Sequence, residues 1–327
     1  MSQDQTKKEA LFNEVKGSLF EYLMARSLSR LSGHELDFLQ SLDANYLNVL
    51  SQQDRMVRQF YPEMLPFLNE VADQSTKVLV NYLGEAPTKA TLKGKFSDSA
   101  NEDQIFEADL LVETKKGTLP LSLKLNKKHS FVNTKSGGIK SFFDHYFPFL
   151  DSSFQIDFNH LVGREFIRMA HELHELNDLE YPGDFSLWVK AGKSELPGEL
   201  SLEERGILKK FYARIAAQMF EVLSHAKKIC PEKFSASLPA LAGFSSTDIV
   251  QLVCFHEFKT QGLPEIQIHS FEDIKTSPSE VEILPFSQTS SVDLKIKDLT
   301  LQIRVKPMNK FTTTAIKINC SVKFRQT

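Results

Sequence analysis

A mixed α/β protein of the α+β kind is what this sequence predicts, on three observations. The first third carries apolar residues at helical spacing. From about residue 104 to 126 the spacing changes to period two. The last sixty or so residues alternate again in four short runs.

Each element has its own signal. In the opening segment Leu11, Phe12, Val15, Leu19, Phe20, Leu23 and Met24 form a helical stripe, and Gly33 is its stop. HELDFLQSLDANYLNVLSQQ and PFLNEVADQSTKVLVNYLG extend the helical region, and Gly84, Pro87 and Gly94 mark the exit into loop. In FEADLLVET, Phe106, Ala108, Leu110 and Val112 face one way, while Glu107, Asp109, Leu111 and Glu113 face the other. A turn around Gly117 leads to LPLSLKLN, where four leucines alternate with Pro120, Ser122, Lys124 and Asn126. Pro120 puts this strand at its start or near a sheet edge. VGREFIRMAHELHEL reads as a helix, and so does the run opened by Ser201 with Glu204 three residues on, a capping box. SSTDIVQLVCFHEF reads as a shorter helix capped by Ser246 or Thr247. EVEILPF, SVDLKIKD, LTLQIRVKP and AIKINCSVKF read as a small antiparallel sheet. The shift near Gly262–Pro264 divides the chain into a domain of residues 1–262 and a β-rich module of 263–327.

Composition narrows the function. Of 327 residues, 41% are hydrophobic and 25% charged, enough for a full core. A net charge of -3 means that any nucleic-acid contact must come from local basic patches. Cys230, Cys254 and Cys320 make neither a disulfide framework nor a zinc site and fit a reducing cytoplasm. The opening MSQDQTKKEA has no signal-peptide pattern, and no apolar run approaches the ~20 residues that span a bilayer, so no membrane partner is expected. No phosphate-cradling glycine motif is present, and His171 and His174 are too poorly supported by further ligands to make a zinc site.

The chemistry concentrates in the two period-two strands. Phosphodiester hydrolysis needs a divalent metal held by one or two carboxylates, and a nearby lysine to orient water or stabilise charge. Side chains at i and i+2 of a strand share a face, so Ser122 and Lys124 project together, and a hairpin brings Asp109 opposite them. Ala108-Asp109 followed, after twelve residues, by Ser122-Leu123-Lys124 resembles the PD-(D/E)xK nuclease superfamily. Glu21, in Gly17-Ser18-Leu19-Phe20-Glu21, resembles the helix glutamate that many members carry ahead of the motif strands. Alanine stands where proline is usual. Ser122 stands where the second acid is usual, as in the Ser-x-Lys-x-Asn run of some restriction endonucleases, matched here by Ser122 to Asn126.

The resemblance implies a restriction-endonuclease-like mixed sheet core flanked by helices, with a helical N-terminal region. It implies Mg²⁺, with Mn²⁺ as an alternative, held by Asp109 with Glu21 or Glu107, and Lys124 positioning the attacking water. It implies a DNA endonuclease, with RNA left open, in bacterial restriction or anti-phage defence, acting as a homodimer or with a partner protein. The alternative is a non-catalytic nucleic-acid-binding or assembly protein on a degenerate copy of that fold, the reading that Ser122 favours. The polar loop NKKHSFVNTKSGGIK supplies Lys127, Lys128, Asn133, Thr134, Lys135, Ser136 and Lys140 as phosphate-binding groups. Arg304 and Lys306 share a face of a C-terminal strand and are a further candidate contact.

Overall fold

The computed structural model describes residues 3–93, 108–257, 263–307 and 310–325. Four helices open the chain: α1 (Gln3–Leu31), α2 (Glu35–Ser41), α3 (Ala44–Phe60) and α4 (Met64–Leu83). Strands β1 (Lys89–Leu92), β2 (Leu110–Thr114), β3 (Gly117–Lys127) and β4 (Val132–Gly138) follow. Next come α5 (Phe142–Tyr146), α6 (Ser153–Leu176), α7 (Ser186–Lys190), α8 (Leu202–Ile229) and α9 (Pro231–Leu241). The remaining elements are β5 (Val250–His256), β6 (Glu265–Ser270), α10 (Phe271–Ile274), β7 (Val281–Ile283), β8 (Ser291–Ile296), β9 (Leu299–Pro307) and β10 (Ile316–Lys323). The fold class is mixed α/β, with two five-stranded sheets.

The chain forms two compact bodies, one of residues 2–130 with 244–273, the other of 131–243 with 274–327. The division expected at 262/263 therefore falls elsewhere. Strand β6 hydrogen-bonds to β5 and completes the first sheet, while β4, from the middle of the chain, joins the C-terminal strands.

In the first body the sheet order is β1-β2-β3-β5-β6. All neighbours are antiparallel except β3 and β5, which run parallel from Leu121↔Val250 to Lys127↔His256. Leu110 and Val112 of β2, Leu121 and Leu123 of β3, and Leu252 and Cys254 of β5 share one core with the helices. The helices contribute Phe20, Met24 and Leu28 from α1, Val57 from α3, and Leu68, Val71 and Leu79 from α4. This is the face expected from period two, and the α1 stripe is buried as expected apart from Phe12, which is half-buried, and Leu11, which is 52% exposed. Pro120 lies inside β3, opposite Leu111 of β2. Strand β5 joins only from Leu121, so the residue without an N–H precedes the two-sided part of the strand.

Strand β5 overturns the helix expected over SSTDIVQLVCFHEF. Every residue of Val250–His256 is buried, so the strand is covered on both faces and shows no polar alternation. A continuous apolar run of that length fits helix or strand alike, and the central place between β3 and β6 decides it.

The second body holds the all-antiparallel sheet β4-β10-β9-β8-β7. Its core face is the alternating set Val292, Leu294 and Ile296; Leu301, Ile303 and Val305; and Ile316, Ile318, Cys320 and Val322. The expected Ser201 capping box opens α8: Ser201 N donates to Glu204 Oε2 at 2.6 Å, and Glu204 N donates to Ser201 Oγ at 3.2 Å. Residues 132–138, expected in a loop, form an edge strand on β10. Only Val132 in it is fully buried, so the sequence has no alternation to reveal it.

The cysteines report on each body separately. Burial pushes the Cys254 thiol up to about 12, against a 3.0 Å contact with Ser75 Oγ that works the other way, and burial pushes Cys320 up to about 12. Cys230 is half-buried. A thiol reagent added to native protein is expected to modify Cys230 first, and to reach Cys254 and Cys320 only at denaturant concentrations that open their respective bodies. Rapid native labelling of Cys254, followed by peptide mass analysis, would contradict the β5 burial described above.

Candidate functional site

Helix α1 sets the site in the first body. Burial of Val15, Leu19, Phe20 and Met24 fixes its rotation, and Gly17 and Glu21, spaced i and i+4, then share a face. Both line a cleft of about 460 Å³. Asn13, Glu14 and Ser18 of the same helix line it too. So do Ser41, Leu42, Asp43, Tyr46 and Gln53 from the α2–α3 region, Leu92 and Lys93 at the end of β1, and Asp109.

Asp109 stands where β2 and β3 part. The ladder runs from Thr114↔Gly117 to Leu110↔Leu121, and Asp109 N still donates to Leu121 O at 2.9 Å. Beyond that point the side chain takes over from the backbone. Its Oδ2 accepts from Leu123 N at 2.6 Å and from Ser122 Oγ at 3.3 Å. Lys93 N donates to Asp109 O at 3.0 Å and ties in the end of β1. Among the described residues Oδ1 has no protein hydrogen bond. Ser122 is 2% exposed and serves as a donor to Asp109.

The cleft is electronegative. Burial, and then the charges of Glu21, Tyr22 and Asp43, push the Tyr46 phenol far above its ordinary value. Asp43 caps α3 by accepting from Tyr46 N at 2.8 Å. Gln53 Oε1 is buried there without a hydrogen-bond partner among the described residues. Glu14, Glu21, Asp43 and Asp109, together with the Gln53 amide oxygen, give one cleft an oxygen-rich lining that suits a hard cation such as Mg²⁺, which binds through one or two carboxylates and keeps several waters. Among the described residues no three His, Cys, Asp or Glu side chains converge into a complete cage.

The other expected residues lie elsewhere. Lys124 is half-buried on β3 and is not among the described residues lining the cleft. The lysine that lines it is Lys93, which sequence reasoning missed because only the β1–β2 pairing brings it to Asp109. Glu107 lies outside the described residues. Lys127 and Lys128 are exposed at the end of β3, in the first body.

Asn133, Thr134, Lys135, Ser136, Lys140, Arg304 and Lys306 belong to the second body. Several of these are engaged in the fold. Thr134 Oγ donates to Leu241 O at 2.6 Å and Cys320 O at 3.1 Å, and Ser136 Oγ donates to Asn319 Oδ1 at 2.8 Å. Burial holds the half-buried Lys135 ammonium below the usual lysine value. Arg304 is exposed and faces Asn319 across the sheet, and Lys306 faces Lys317. Lys140 is exposed in a short 3-10 turn. His174 is buried, with Nδ1 2.8 Å from Ala170 O and its ring among Tyr181, Phe185 and Trp188, a packing role.

No protein-family model, no curated protein and no solved structure matches this chain.

The double role of Asp109 makes a stability prediction. Asp109→Ala leaves Leu123 N and Ser122 Oγ without their acceptor and is expected to cost about 1–3 kcal/mol. Asp109→Asn keeps an acceptor oxygen and is expected to cost clearly less. Urea unfolding followed by circular dichroism measures both, and an Ala variant as stable as the parent would remove the carboxylate from the ladder.

Proposed function

We propose that the first body is a metal-dependent phosphodiesterase acting on DNA, with a restriction-endonuclease-like core. The observation that carries the reading is the convergence of Glu21, from α1, and Asp109, from the start of β2, on one cleft. A mixed sheet packed against α1 and α4 supports it as well.

In this reading Glu21 and Asp109 hold Mg²⁺, and Gln53 Oε1 supplies a further oxygen. The bound metal would polarise a phosphoryl oxygen and lower the pKa of a bound water. Asp109 Oδ2 stays with Leu123 N and Ser122 Oγ, which fixes the carboxylate and leaves Oδ1 for the ion. Lys93 is the cleft ammonium that would offset negative charge on the phosphate. Lys124, two residues beyond Ser122, is the alternative that the motif assigns. Bacterial defence is the wider role that the resemblance suggests for such an enzyme.

A second reading has its own support. The Ser122–Asp109 bond and the position of Lys124 outside the cleft lining also suit a non-catalytic nucleic-acid-binding protein on a degenerate copy of the fold.

Incubation of the full chain with plasmid, single-stranded DNA and RNA, with Mg²⁺, Mn²⁺ or EDTA, separates the two. The expected result is metal-dependent cleavage, reduced about 100-fold or more in Asp109→Asn and Glu21→Gln, a scale set by loss of groups that stabilise transition-state charge. Lys93→Ala and Lys124→Ala then show which ammonium the reaction uses. Binding without cleavage in every metal would support the second reading.

A further inference from the structure

A cluster of basic groups stands at the carboxyl ends of the two parallel strands. Lys127 and His256 are register partners there, and Lys128 N donates to His256 O at 3.2 Å. The His256 ring packs edge-on against Phe67 of α4, with centroids 5.3 Å apart. The residue is 4% exposed, and its Nδ1 has no hydrogen-bond partner among the described residues. From α1 comes Lys16, with Nζ 5.1 Å from the centre of the Phe12 ring.

Lys16 and Lys127 repel each other, and both oppose protonation of the His256 ring. Burial, then Lys16 and Lys127, lower the imidazole pKa to about 4, and burial, then Lys127, lower the Lys16 ammonium. No carboxylate among the described residues pairs with Lys16, Lys127 or His256. A fold that gathers like charges around a partnerless imidazole bears an electrostatic cost that a bound anion removes. The carboxyl ends of parallel strands in open α/β sheets are also where ligands commonly bind.

We propose that Lys16, Lys127 and His256 form an oxyanion site that takes a phosphate group. The two ammoniums supply charge and up to three donors each. An anion between them relieves the repulsion that keeps the ring neutral, and a protonated ring donates from both nitrogens. Lys16 immediately precedes Gly17, which lines the acidic cleft, so one helix carries the groups for a metal and for a phosphate. That the phosphate belongs to a polynucleotide rests on the function proposed above; the oxyanion site itself does not.

The test is a titration of the full chain with inorganic phosphate, in EDTA and near neutral pH, followed at the His256 ring carbon–proton resonance. Loss of that resonance in His256→Asn assigns it. A saturable shift is expected, with binding weakened about tenfold or more in Lys127→Met and in Lys16→Met, one charge-assisted contact each. Lys127 is exposed, so its variant keeps the test informative even where Lys16→Met perturbs folding. No shift, or the same shift and affinity in both lysine variants, would overturn the proposal. Competition by a short oligonucleotide supports a polynucleotide source, and indifference to it overturns that part alone. Phosphate binding in a protein that fails to cleave would overturn the nuclease reading and leave the site standing.

Discussion

The parallel ladder between β3 and β5 is the constraint on which the first body depends. It pairs Leu121 with Val250 and continues, residue for residue, to Lys127 with His256. Because β5 is covered on both faces, the ladder cannot slip by one residue without exchanging Leu252 and Cys254 for Gln251 and Val253 against the helices. With the register fixed, Leu121 and Leu123 meet α1 and α4 and the strand ends bring two basic side chains together, while the β2–β3 ladder places Ser122 beside Asp109. The pairing of Lys127 with His256 at the strand ends is a consequence of that alignment.

Asp109 shows how a fold can depend on a residue that also suits chemistry. At the parting of β2 and β3 its carboxylate replaces a missing strand partner for Leu123 N. A backbone donor left unsatisfied there would be costly, so the side chain is held for structural reasons alone. The same restraint leaves its second oxygen in a fixed place beside a cleft made electronegative by Glu21 and Asp43. Ser122 takes part in that restraint, which accounts physically for a hydroxyl where the resemblance leads one to look for an acid. A second carboxylate at this depth would need a cation or a proton to be tolerated.

Much of this was legible from residues alone, for reasons that can be named. The α1 stripe and the β2–β3 alternation each bury one face, and a one-sided element writes its period into the sequence. Ser201 and Glu204 satisfy each other locally, so their cap is visible without tertiary context. Strand β5 was hidden because a two-sided strand has no period to show, and β4 because an edge strand with polar side chains looks like loop. The boundary between bodies was hidden because β6 and β4 pair with strands remote in sequence. Glu21 and Asp109 line one cleft. Lys93, Gln53 and the Lys16–Lys127–His256 cluster had no local signal, since each depends on packing between separate elements.

The nuclease reading stands on Glu21 and Asp109 making one cation site. Titration of Mn²⁺ into the metal-free protein, read by the loss of the free-ion paramagnetic resonance signal, addresses it without requiring turnover. The expected result is a bound ion that is lost in Glu21→Gln and in Asp109→Asn alike, with Mg²⁺ competing for it and both variants folded. Binding that survives both substitutions, or none in the parent protein, would contradict it.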